Sequence, residues 1–152
     1  MIRRLAEVVA IFCGGLFFGA ALYISLVQHP ATLETGNDFA ARFFPAMYGR
    51  AAVFQASLAS IGCAAAIAAW LAGAGRLWLA AAVLLGSVVP FTLVVIKPVN
   101  DALLHGGNVS PVELNVLLVR WGYLHWARTV ASGLSFVTCL IGIVRRSPRS
   151  NE

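Results

Sequence analysis

From Ala51 to Gly75 the chain carries no charged side chain at all. Such an interval is longer than the roughly 20 helical residues that cross about 30 Å of hydrocarbon. Using charges and turn residues as fences, three more intervals of that kind emerge: residues 5–27, blemished by Glu7, residues 77–96, and residues 121–144, apolar except for His125 and Arg128. Lipid offers no partner to an exposed backbone N–H or C=O, so each span must be helical, and four short strands could not close a barrel. The expected fold class is therefore all-α, an integral membrane four-helix bundle, with residues 1–152 as a single membrane domain. The composition agrees: 11% of residues are charged, against roughly 25% in a soluble domain, and the mean hydropathy is +0.84.

The net charge of +5 reads as orientation. The basic residues form small groups between apolar runs, without the aromatic-interleaved stripe that a nucleic-acid surface needs, so no nucleic-acid partner is expected. Arg3, Arg4, Arg76, Arg145, Arg146 and Arg149 flank one face. On the other face Arg42, Arg50, Lys97 and Arg120 are diluted by Glu34, Asp38, Asp101 and Glu113. The positive-inside rule then puts both termini in the cytoplasm, in a bacterial inner membrane. A cleavable signal peptide is the alternative for residues 5–27, but the run is long for one. Cys13, Cys63 and Cys139 each fall inside an apolar run with no CxxC, which argues against a disulfide framework or a zinc site.

The long connections, residues 28–50 and 97–120, both lie outside on this reading, whereas Gly73 to Arg76 is a tight turn. In the first, Asn37 could cap a short amphipathic helix with Phe39, Phe43 and Phe44, as an interfacial anchor or a lid. In the second, Ser110, Pro111 and Glu113 combine a cap, a first-turn proline and a capping-box glutamate, so the last helix starts near Pro111. Gly15 and Gly19 form a GxxxG pair, and the second span is rich in alanine. Both patterns fit close helix packing, and such small-residue faces leave an oligomer open. Pro90 removes a hydrogen bond to the Gly86 carbonyl and kinks the third span.

Arg128 is the residue that packing does not explain. It lies about seven residues into its span, where an arginine costs roughly 2.5–3.5 kcal/mol on translocon scales. Trp121, His125 and Arg128, spaced i, i+4 and i+7, share one helical face. No membrane-embedded carboxylate except the distant Glu7 is available to Arg128, so its candidate partners are Gln28, His29, Thr92 and Asn100. One reading has Arg128 bonding backbone carbonyls freed by Pro90 or snorkelling to lipid phosphate, while His125 satisfies a neighbouring hydroxyl. The other has Arg128 and Asn100 holding an oxyanion or carbonyl while His125 or His29 moves a proton.

These residues also carry a resemblance. Pro90-Phe91-Thr92, Lys97-Pro98-Val99-Asn100 with Leu103 or Leu104, and then Trp121, His125 and Arg128 resemble the signature of the anthrone oxygenase-like family. The small-residue first span with Tyr23 and Ser25 before His29-Pro30 extends the likeness to nearly the whole chain. The resemblance implies a helical membrane bundle and an O2-dependent oxidation of an anthrone to an anthraquinone, without an evident metal or flavin motif. It carries Asn100, Trp121, His125 and Arg128 over as site residues.

The expected function is thus a membrane monooxygenase-like oxidoreductase acting with O2 on a lipophilic phenolic or anthrone-type substrate that enters from the bilayer. His125, Arg128, Asn100 and His29 are the candidate catalytic residues; Trp121 and Thr92 are the candidate substrate contacts, with Trp121 stacking on the flat molecule. No cofactor beyond O2 and no metal ligand set is assigned. One alternative is a haem- or quinone-binding redox protein with His29 and His125 as axial ligands, or a copper site that adds His105 from its Gly106-Gly107 loop. A non-enzymatic membrane interaction module is the other.

Overall fold

The computed structural model describes residues 1–105 and 109–145. Arg146, Arg149, Gly106 and Gly107, used in the sequence argument, lie outside the described residues. Among the described residues there are four helices and no strand: α1 (Ile2–Thr35), α2 (Asn37–Ala74), α3 (Arg76–His105) and α4 (Pro111–Val144). Each is long and apolar enough to cross a membrane, and the chain is an integral membrane four-helix bundle.

Glycine sets the corners. Gly36 (φ 117°) separates α1 from α2, and Gly73 (φ 81°) and Gly75 (φ 101°) separate α2 from α3. A positive φ is nearly free for glycine and costly for other residues, so chain reversal falls at these positions. Ser110 opens α4 with its Oγ accepting the Glu113 N–H at 3.3 Å, next to Pro111 in the first turn, the cap that the sequence predicts.

Neighbouring helices run antiparallel, in the cycle α1, α2, α3, α4 and back to α1. Packing glycines register the contacts. A Cβ on Gly62 of α2 would meet Cys13 of α1 and Leu85 of α3 at 3.0 and 2.8 Å, and one on Gly133 of α4 would meet the Phe18 ring at 2.8 Å. Of the GxxxG pair, Gly15 lies 3.0 Å from the Phe136 ring by the same measure, whereas Gly19 has nothing within 4 Å. The pair as a unit is therefore not a packing motif inside this bundle.

Apolar side chains fill the interior in three layers. Ala6, Ala66, Trp78 and Cys139 pack at the end with the termini, Phe17, Leu58 and Leu85 in the middle, and Phe44, Ile96, Leu118 and Trp121 at the far end. Many of the remaining large apolar residues, such as Phe12, Val53, Leu71 and Val94, face outward. This is the normal arrangement where the solvent is hydrocarbon.

The segments 28–50 and 97–120, expected as connections, are largely helical: α1 continues to Thr35, α2 begins at Asn37, α3 continues to His105 and α4 begins at Pro111. The expected short helix after Asn37 is the first part of α2. Asn37 donates from Nδ2 to Asn115 Oδ1 at 3.2 Å and makes no cap. Phe39 and Phe43 stack on the outside at 5.9 Å, while Phe44 is buried.

One wide π-turn, Trp70–Ala74, ends α2, and two others interrupt the regular winding, Ile24–Gln28 in α1 and Thr92–Ile96 in α3. In each of these two the next residue, His29 or Lys97, donates its N–H five residues back, to the Ile24 or Thr92 carbonyl. A proline follows directly, Pro30 or Pro98. Its ring crowds the carbonyl four residues back and it has no N–H to offer, so the chain relaxes into the wider turn.

Candidate active site

The bundle contains a cavity of about 170 Å³ between the middle and far layers, into which all four helices project. Its wall on α2 is the small-residue face of Ala51, Ala52, Ala56 and Ala59, which leaves room that larger side chains would fill. Ala56 of α2 and Leu93 of α3 line the cavity and are also exposed. The cavity therefore opens sideways between α2 and α3, onto the outer surface of the bundle.

Five of the predicted site residues, Thr92, Asn100, Trp121, His125 and Arg128, line this space. The α-helical stripe of Trp121, His125 and Arg128 faces inward as its spacing requires. Arg128 points into the bundle and does not snorkel. One of its terminal N–H groups donates to Gln55 Oε1 of α2 at 2.6 Å, and its guanidinium lies 5.5 Å from the Phe17 ring centroid. Neither Asn100 nor a backbone carbonyl is its partner, and its Nε is buried with no hydrogen bond. No carboxylate among the described residues lines the cavity or pairs with it.

The remaining bonds determine what the cavity offers an occupant. Arginine has donors only, so Gln55 must turn its oxygen to Arg128, and its NH2 group is left as a further donor. The Trp121 indole N–H donates to Asn100 Oδ1 at 2.9 Å, which in the same way leaves the Asn100 NH2 uncommitted. Thr92 donates its hydroxyl to the Val88 carbonyl at 2.7 Å. His125 has Nδ1 2.9 Å from Ser25 Oγ, which lies 2.9 Å from Thr129 Oγ1. Nε2 is the imidazole nitrogen left for an occupant. The site is an apolar chamber with one fixed cation, two amide donors and one imidazole.

His29 stands apart. It lies behind Trp121, with ring centroids 5.0 Å apart, beside a small void of about 10 Å³ and outside the main cavity. Its Nε2 is buried without a well-formed hydrogen bond, although the Leu118 carbonyl is close. Gly122 makes room for it, since a Cβ there would sit 2.7 Å from that nitrogen. Trp121 also stacks on His125 at 4.9 Å and meets the Phe44 ring edge-on at 5.4 Å. The indole thus touches both histidines, and they do not face each other across an open space that a haem could occupy. His105 is exposed at the end of α3, its Nδ1 2.9 Å from the Asp101 carbonyl oxygen. Among the described residues no three His, Cys, Asp or Glu side chains come together as a metal-ligand group.

Sequence reasoning passed over Gln55 and Thr129, and it expected a hydroxyl beside His125 without identifying it as that of Ser25. A lone amide in a charge-free span was the available signal for Gln55.

The profile of the family described as anthrone oxygenase matches residues 44–138, more than half of the chain. This chain belongs to the anthrone oxygenase family. A relative named anthrone oxygenase tpcL, from Aspergillus fumigatus, is 29% identical over 153 residues, covering 93% of this chain and 94% of that one. No solved structure matches. The part matched to the anthrone oxygenase profile contains Gln55, Thr92, Asn100, Trp121, His125 and Arg128. Phe17, Ser25 and His29 of α1 precede it, and they enter this member of the family through the wider likeness to the relative. Membership supports an oxygenase-like function at the level of the family.

Proposed function

We propose that this chain oxidises a lipophilic phenolic or anthrone-type molecule with O2, in a membrane, at the cavity between His125 and Arg128. The observation that carries this reading is the pairing of a histidine with an arginine that has no carboxylate partner among the described residues, inside an apolar chamber open to the bilayer side. A charge-neutral host for Arg128 leaves its charge to be met by an anion from the substrate. In a low-dielectric chamber that attraction is far stronger than in water.

The chemistry follows from the groups. An anthrone has an acidic CH2 between two rings, conjugated through them to a carbonyl. His125 takes one proton, and the electron pair spreads onto the carbonyl oxygen, which Arg128 and the Asn100 or Gln55 amide stabilise. The electron-rich anion reduces O2 and forms a C–O bond. The resulting peroxide takes up a proton, and loss of the second C–H proton with O–O cleavage releases water and leaves a carbonyl. One substrate and one O2 thus give one quinone and one water, with no other reductant. A cavity of about 150 Å³ is known to hold a benzene, so the chamber of about 170 Å³ takes one ring of such a substrate, while the rest extends into the mouth.

Oxygen uptake by the purified protein with an anthrone is the test, on metal-free protein and again after adding copper or haem. His125→Ala is expected to lower kcat by roughly 10²- to 10⁴-fold, the usual contribution of a general base. Arg128→Lys keeps the charge but loses the planar fork, and is also expected to impair turnover. Turnover that needs the added metal, or undiminished turnover in both variants, would overturn the reading.

A further inference from the structure

The hydroxyl pair behind His125 takes its direction from the two carbonyls beside Thr129. Thr129 Oγ1 lies 3.1 Å from the His125 carbonyl and 3.3 Å from the Ala21 carbonyl. A carbonyl can only accept, and a hydroxyl has one proton, so Thr129 spends it on these oxygens. Its own oxygen must then receive the Ser25 proton across 2.9 Å. With the Ser25 proton committed to Thr129, the Ser25 oxygen can only accept from His125 Nδ1, also at 2.9 Å. All three residues are buried, at 6% exposure or less, so bulk water does not compete. The reverse direction would leave both carbonyl contacts of Thr129 without a proton.

We infer that Ser25 and Thr129 are positioning residues that hold His125 as its Nδ1–H tautomer, leaving the Nε2 lone pair as the proton acceptor presented to the cavity. The inference rests on the proposed oxidation for its purpose, and on the hydrogen-bond pattern for its substance. In the opposite tautomer Nε2–H would be one more donor in a chamber already supplied with donors, and nothing there would accept the substrate proton. When Nε2 takes that proton, the electron pair of the C–H bond stays on the substrate carbon. Nδ1 remains a donor to Ser25 throughout, so the chain needs no rearrangement between the neutral and protonated forms.

Nitrogen-15 spectra of histidine-labelled full-length protein in lipid nanodiscs read the tautomer directly, with the His125 signals identified by their loss in His125→Gln. The expected result is a protonated Nδ1 and a bare Nε2 in the wild type. Ser25→Ala and Thr129→Val are expected to shift His125 toward the Nε2–H form and to lower kcat for anthrone-dependent O2 uptake by roughly 10²-fold, at the lower end of what loss of a general base costs. Thr129→Ser, which keeps the hydroxyl, is expected to restore both. An Nε2–H tautomer in the wild type, or an unchanged tautomer in Ser25→Ala, would overturn the inference. The expected tautomer in a wild type that consumes no O2 would overturn the oxidation and leave the positioning role standing.

Discussion

Arg128 and Gln55 show how a neutral partner can be more informative than a charged one. A carboxylate at position 55 would satisfy the guanidinium and cancel its charge, whereas an amide holds the group in place and leaves the charge available. Gln55→Glu is therefore expected to keep the melting temperature in detergent at or above that of the wild type while lowering kcat/KM for an anionic substrate. The loss should be about 10- to 100-fold, matching the roughly 1.5–3 kcal/mol of a hydrogen bond to a charged group. Gln55→Leu removes the partner of a buried cation and should instead cost stability, seen as a lower melting temperature. At this scale the sequence displayed part of the candidate site. The stripe Trp121, His125 and Arg128 was legible because one helix's periodicity puts those residues on one face. Gln55, Ser25 and Thr129 were not, because each matters through a contact between helices, and spacing along a single helix carries no information about which face another helix presents.

The four helices illustrate a distinction between a span and a helix. Hydropathy locates where the hydrocarbon ends, but a helix stops only where its backbone is given another conformation, which here happens at Gly36, Gly73 and Gly75. For that reason each apolar interval falls on one of the four helices, whereas 28–50 and 97–120, which read as connections in the sequence, are largely helical. Pro30 and Pro98 would each end an ordinary helix, and the chain passes both by widening one turn. The widened turn has a consequence for the site, because Asn100 follows it in α3. Pro98→Ala supplies the missing N–H and lets the turn tighten toward α geometry, rotating Asn100 by up to about 100°, one residue's step of the helix. Helical content by circular dichroism is expected to be unchanged, and kcat to fall by about 10²-fold, the scale of a 1 Å displacement in a site. Gly122→Ala tests the other helix. Its Cβ would press on His29, and about 1–3 kcal/mol of overpacking should appear as a lower melting temperature.

Across the whole molecule, the up-and-down path of the four helices brings both ends of the described chain to one end of the bundle, together with Arg3, Arg4, Arg76 and Arg145. Reporter fusions at the two termini are expected to place both in the cytoplasm, as the positive-inside rule requires. Two termini in different compartments would be incompatible with this path. This level of organisation was the most legible in the sequence, because solvent alone dictates it: four apolar intervals, no alternative to helix, and successive crossings that must run in opposite directions. The side opening between α2 and α3, where Ala56 and Leu93 meet the exterior, reaches beyond the protein. A molecule that arrives through it diffuses in two dimensions, and the concentration it presents is its mole fraction in the lipid. Saturation should therefore track substrate per lipid or detergent molecule, so that diluting a fixed amount of substrate into more micelles slows the reaction even when its concentration in the tube is unchanged.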